Sequence, residues 1–114
     1  MYARVMSLNV QEGKMDALIS AVAGSVEPML LNMEGFQGGF LFTDPAAGTA
    51  LTVTIWETED QMLAGERMPS YIERISKMTA VLNEPPIPQH FQASMWAWSG
   101  PNKHGPNPAD VTES

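Results

Sequence analysis

The residues that could do chemistry in this sequence are aromatic and imidazole side chains. His90 opens the run HFQASMWAW and is the side chain suited to a general base near neutral pH. No carboxylate stands near it in sequence, and a histidine at a strand start beside Pro88 can equally be an exposed surface residue. Trp56 ends the alternating run LTVTIW and presents a large flat surface on which a small aromatic ligand could lie. Tyr71 could add a phenolic hydrogen bond, or could be core with its hydroxyl at the rim. Other chemistries lack their residues. There is no cysteine for a thiolate or a disulfide, and His90 and His104, without a paired acidic spacing, make no recognisable metal ligand set. No glycine-rich phosphate loop and no serine elbow occurs. Shape, desolvation and proton transfer are what remain, with no cofactor implied.

The stretch that must position these groups is Leu51 to Gln61. Leu51, Val53 and Ile55 alternate with Thr52, Thr54 and Trp56, so one sheet face is aliphatic and the other carries two hydroxyls and an indole. Thr58 follows as a helix N-cap with Gln61 three residues on, the spacing of a reciprocal capping box, and Glu59 and Asp60 put negative charge in the first turn. A pocket is expected at this corner.

Around it the chain reads strand, helix, strand, strand, helix in two pieces, strand. Tyr2 to Val10 alternates as a strand covered on both faces. From Lys14, Met15, Leu18, Ile19, Val22, Val26, Met29, Leu30 and Met33 recur at helical spacing, with an irregularity expected at Gly24 to Pro28 because Pro28 has no backbone donor. Gly35 can end that helix in the left-handed conformation. The second strand, Phe36 to Thr43, puts Phe36, Gly38, Phe40 and Phe42 on one face. Its Gly38-Gly39 pair marks a bulge, or the close approach of a backbone or ligand beside Phe40. Asp44 to Gly48 then turns it into a hairpin with the Leu51 to Trp56 strand. A capped helix runs from Glu59 to about Arg67, Pro69 restarts it, and helical spacing continues to about Asn83. His90 to Trp98 is a last strand with Trp96 and Trp98 on one face, suited to cross-strand packing at an interface or core, with Trp96 also a candidate substrate contact.

This order is the split arrangement of a ferredoxin-like βαββαβ sandwich, an α+β fold with helices on one sheet face. The other face would carry apolar area that a second copy could cover, so a homodimer is expected. A chain of 114 residues fits one domain, spanning 1–98, with SGPNKHGPNPADVTES, residues 99–114, as a flexible tail. The formal charge of −7, with six cations, disfavours nucleic acid as a partner. The N-terminal stretch lacks the basic start and apolar run of a signal peptide, and no stretch approaches membrane-spanning length, so a soluble cytoplasmic protein is expected.

The segments GKMDALISAV, SVEPMLLNMEGFQGGFLF and TVTIWETEDQM resemble the antibiotic biosynthesis monooxygenase-like proteins of the dimeric α+β barrel fold, over nearly the whole chain to Trp98. The resemblance implies a dimeric barrel. In its cofactor-free branch, polycyclic phenols are oxidised to quinones, with an asparagine and a tryptophan on this strand and a tyrosine in the next helix orienting the substrate. Trp56 matches the tryptophan, while Thr52 stands at the asparagine's place and Met62 at the tyrosine's. A threonine can donate one hydrogen bond and a methionine none, so Asn9 and Tyr71 are the candidates to substitute from other elements. The haem-degrading branch implies an axial histidine in the second helix, where this chain has Arg74, Ile75 and Ser76.

Two functions follow as expectations. The first is a cofactor-independent monooxygenase-like protein acting on a small aromatic or quinol-type substrate, with Trp56, Asn9, Tyr71 and His90 as catalytic candidates and Thr52, Met62, Phe40 and Trp96 lining the substrate. The second is a non-catalytic dimeric small-molecule-binding or stress-associated protein of the same fold, which the pair Thr52 and Met62 fits better.

Overall fold

A computed structural model describes residues 1–95 together with Ala97 and Ser99. Trp96, Trp98 and the segment 100–114 lie outside the described residues, and with them the expected tail and the Trp96 contact. The elements are β1 (Tyr2–Asn9), α1 (Met15–Ala21), a π-helical turn (Val22–Val26), α2 (Glu27–Leu30), β2 (Phe36–Asp44), β3 (Thr49–Trp56), α3 (Glu59–Gly65), α4 (Pro69–Thr79) and β4 (Gln89–Gln92). The strands form one antiparallel sheet in the order β2-β3-β1-β4, as a ferredoxin-like α+β fold requires. No helix among the described residues is long and apolar enough to cross a membrane.

The irregularity in the first helix is a π turn just ahead of Pro28. The Glu27 N–H donates to the Val22 carbonyl, five residues back, and α2 then starts with the proline in its first turn, where no donor is needed. Leu18, Val26, Met29 and Leu30 are buried as the stripe predicts, while Ile19, expected with them, is 40% exposed.

Register decides which face is the core. Tyr2, Arg4, Met6 and Leu8 pair with Trp56, Thr54, Thr52 and Ala50, and on both strands this set lies under the helices. The hydroxyl-and-indole face of β3 is therefore the core face, and the aliphatic set of Leu51, Val53 and Ile55 faces the other way. Two apolar clusters fill the layer beneath the helices. One joins Met6, Leu8, Val10 and Leu18 to Met78 and Leu82; the other joins Val26, Met29 and Leu30 to Trp56, Met62 and Tyr71. Arg4, Thr52 and Thr54, all buried, form a polar seam in the sheet surface of this layer.

A bulge and a strand end depart from the sequence reading in ways that bear on the site. A bulge between Phe36 and Gly38 leaves Gln37 as the extra residue, so alternation reverses across it. Phe36 turns to the helix side and meets Trp56 edge-on, with ring centroids 5.5 Å apart, while Phe40 and Phe42 stack on the open face. The last strand also stops at Gln92 rather than reaching Trp98. Gln92 pairs with Tyr2, at one end of β1, and the Ala93 N–H reaches the Met1 carbonyl.

Candidate functional site

The strand-to-helix corner is built as its residues dictate. Thr58 is extended and its Oγ1 accepts the Gln61 N–H at 3.2 Å, which starts α3. The return half of the capping box is not made: Gln61 Oε1 is buried, turned toward Gly35, and has no partner among the described residues. Gly35, at φ +83°, lets the chain leave the first helix and place its carbonyl 2.8 Å from the Glu57 N–H. Gly65 lets α3 come down onto the indole, since a Cβ there would lie 2.5 Å from Met33 Cε and 3.6 Å from the Trp56 ring.

The centre of the corner is Arg4, only 2% exposed. Its Nη2 donates to the Met62 carbonyl at 2.8 Å, one of the orphan acceptors in the last turn of α3, where a cation also suits the helix dipole. The guanidinium lies 5.1 Å from the Trp56 ring centroid and 4.9 Å from that of Tyr71, in contact with both π systems. Its Nε is 3.2 Å from Glu66 Oε2, a charge pair that lacks the alignment of a hydrogen bond. The same oxygen stands 2.8 Å from His90 Nε2. Glu66 is 21% and His90 36% exposed in their side chains, so the line Arg4, Glu66, His90 runs from the buried core to solvent.

The aromatic walls are less available than their types suggest. Trp56 is fully buried, and its indole N–H donates to Thr54 Oγ1 at 3.0 Å, so its donor is already used. Met62, also fully buried, packs in the same cluster. Burial raises the Tyr71 phenol above its ordinary value of 10, with Glu66 adding to the rise and the Arg4 charge and hydrogen bond opposing it. The phenol is thus a neutral donor near neutral pH.

Of the residues singled out from sequence, Trp56, Tyr71, Met62 and His90 gather around Arg4. Thr52 is on the same sheet face but four residues back along β3, paired with Met6 and Leu41. Asn9 is at the far end of β1, roughly 23 Å from the Trp56 pair at about 3.3 Å per residue, and its Oδ1 accepts from Asn83 Nδ2 at 2.9 Å. Phe40 is on the opposite face of the sheet. Two open surface depressions, of about 530 and 690 Å³, border Asn9 rather than Trp56. The first is lined by Phe42, Leu51 and Glu84 among others, the second by Gln11, Glu12 and Asp16. The corner expected to hold a pocket is instead filled by Trp56 and Met62.

Arg4 and Glu66 were not evident as site residues. A signal for Arg4 was present, because it alternates in phase with the apolar Met6 and Leu8, and a lone cation on a core-facing phase requires a partner. Nothing local identifies Glu66 as that partner.

The sequence profile described as antibiotic biosynthesis monooxygenase matches residues 1–73. No curated protein matches the chain. Among solved structures, a candidate antibiotic biosynthesis monooxygenase from Bordetella bronchiseptica is 24% identical, with a TM-score of 0.73 over 82% of this chain and 97% of its own. A similar candidate from Nitrosomonas europaea is 14% identical, with a TM-score of 0.70 over 83% and 100% of the two chains. SnoaB, a cofactor-independent oxygenase from Streptomyces nogalater, is 15% identical, with a TM-score of 0.71 over 82% and 93%.

Proposed function

The chain belongs to the antibiotic biosynthesis monooxygenase family, and from that premise we propose that it is a cofactor-independent monooxygenase of small aromatic or quinol-type substrates, working at the corner of Trp56, Tyr71 and His90. The observation that carries this reading is the line from His90 through Glu66 to Arg4, which brings a base and a buried positive charge to one aromatic-walled corner. An activated methylene next to a phenol loses a proton to His90, and its electron pair stays on the substrate as a delocalised anion. That anion attacks dioxygen, forming a carbon–oxygen bond, and the proton returns to the outer oxygen to give a hydroperoxide. The O–O bond then breaks with loss of the second methylene hydrogen as water, leaving a carbonyl. One substrate and one dioxygen thus give one quinone and one water without a further reductant. The protein's part is orientation, water exclusion and proton transfer. Met62 and Met33, with flexible unbranched side chains, are the groups that would move to admit a flat ring beside Trp56.

The functional unit in this reading is a homodimer. Phe40, Phe42, Leu51 and Val53 lie on the open sheet face with Phe91, and Phe42 and Phe91 are each about half exposed, at 53% and 51%. A second sheet packed on that face would cover them. Sedimentation of Phe42→Glu beside the native chain tests it, a shift to monomer being the supporting result.

The activity is tested by oxygen uptake and absorbance change on anthrone- and quinol-type phenols, without added metal or flavin, comparing the native protein with Trp56→Phe and His90→Gln. Turnover with one dioxygen per substrate, lowered in both variants, supports the reading. A second reading, a non-catalytic small-molecule-binding or stress-associated dimer, is favoured by the closed corner, where Trp56 and Met62 are fully buried. Ligand binding without turnover across the panel selects it.

A further inference from the structure

Glu66 Oε2 is shared by two cationic or protonable groups, His90 Nε2 at 2.8 Å and Arg4 Nε at 3.2 Å. A carboxylate oxygen accepts and an arginine never gives up its charge, so the short contact to the imidazole is made by a proton on Nε2. We propose that Glu66 is a positioning residue that holds His90 as its Nε2–H tautomer and leaves Nδ1 as the basic nitrogen, with Arg4 in turn holding Glu66. This rests on the reading above, in which His90 takes the substrate's proton, and it assigns the atom that does so.

The surroundings give Glu66 this task. His90 is on the edge strand β4, whose four residues are all exposed and which pairs on one side with Tyr2 to Val5. The backbone ladder fixes where the ring begins but not how it is turned. Glu66 follows α3 directly, ahead of the Pro69 that opens α4, and reaches across the layer to the ring. Among the described residues, the groups facing the pair are Arg4 from β1 and the neutral phenol of Tyr71 from α4. In the step itself the substrate's C–H bond breaks, an N–H bond forms at Nδ1, and the electron pair stays on the substrate. The imidazolium then keeps its Nε2–H on Glu66, and the substrate anion formed in the same step carries the charge that offsets the new one. A carboxylate that selects one imidazole nitrogen and steadies the protonated ring is the orienting logic of hydrolase triads, met here on an unrelated site.

Nitrogen-15 NMR of the imidazole tests it, in a His104→Gln background so that His90 is the sole histidine, at about pH 8 where a free histidine is neutral. The native ring is expected to report a single Nε2–H tautomer. Glu66→Ala is expected to release it to the mixed population of a free imidazole, while Glu66→Gln, which retains an accepting oxygen, is expected to preserve it. A native ring that samples both tautomers overturns the proposal without any variant having to fold, as does a Glu66→Ala ring that remains single. Where the phenol panel gives turnover, Glu66→Gln should lower kcat at least about tenfold with little change in KM, and should alter the pH profile of kcat. An unchanged profile also overturns it. The tautomer is read without substrate, so absence of turnover refutes the oxygenase reading separately.

Discussion

Replacing Arg4 by methionine probes what the corner is built on. The substitution approximately keeps the side-chain length but removes the charge and every donor. The Met62 carbonyl loses the donor that now lies 2.8 Å away, and an unpaired buried acceptor costs about 1–3 kcal/mol. The ring contacts at 5.1 and 4.9 Å lose their cation, worth roughly 0.5–2 kcal/mol each at a desolvated site. Glu66, one-fifth exposed, can turn to water, so its freed carboxylate adds little. Against these losses stands the desolvation cost of burying the guanidinium, which is relieved. The balance is a loss of about 2–3 kcal/mol, well short of the sum because the contacts share one group. With a urea slope of about 1.5 kcal/mol/M, the midpoint should fall by about 1.3–2 M. Equilibrium unfolding followed by tryptophan fluorescence measures it, at one fixed protein concentration so that self-association does not enter. Glu66→Gln, measured alongside, should move stability by less than about 1 kcal/mol. An Arg4→Met protein as stable as the native chain, or more stable, would refute the argument: the guanidinium would then be a tolerated burden rather than the centre of the corner.

Gly35→Ala should cost at least about 1–2 kcal/mol, because φ is +83° and the new Cβ would collide with the Gln61 side chain; a lowered thermal midpoint checks it. Gly24→Ala, in the π turn with open space around it, should raise that midpoint by stabilising the fold about 0.4–1 kcal/mol. The Tyr71 phenol is raised by burial, so above pH 10 the unfolded chain ionises there before the folded one does. Stability is therefore unaffected by this group below pH 10 and falls as pH rises through the folded value. Tyr71→Phe should flatten that alkaline decline in urea midpoint without changing its shape near neutral pH.

The strand-to-helix corner was legible because its signals are local: a two-residue alternation, a capping threonine, acidic residues in the first turn. Alternation tells that two faces exist and not which is buried. The aliphatic set of Leu51, Val53 and Ile55 looks like a core face, yet the helices cover the threonines and Trp56, because the paired strand β1 brings Met6 and Leu8 to that side. Plain alternation groups Phe36 with Phe40, but one bulged residue, Gln37, reverses every later side chain, and a glycine pair announces a bulge without fixing its position. The pairing of Arg4 with Glu66 joins residues far apart in the chain, and His90 meets Glu66 across 24 positions. No sequence period connects such residues; packing of β4 and α3 against β1 does. Methionine at position 62 read as a missing hydrogen-bond donor, whereas its backbone carbonyl turns out to be what anchors Arg4.

The pairing of Arg4 with Glu66 also governs how a ligand arrives. The two charges cancel, so the formal −7 of the chain is spread over everything else, with five other cations to temper it. An ionised phenol or carboxylate drifting toward the surface meets a repelling field and is slowed, whereas a neutral molecule is not. Added salt should therefore quicken the encounter with anionic ligands and leave neutral ones unchanged, over a range set by a screening length of about 10 Å at 0.1 M. The order of events on the molecule is thereby biased toward docking first and ionising second, with the compensated cation met only after water has been left behind.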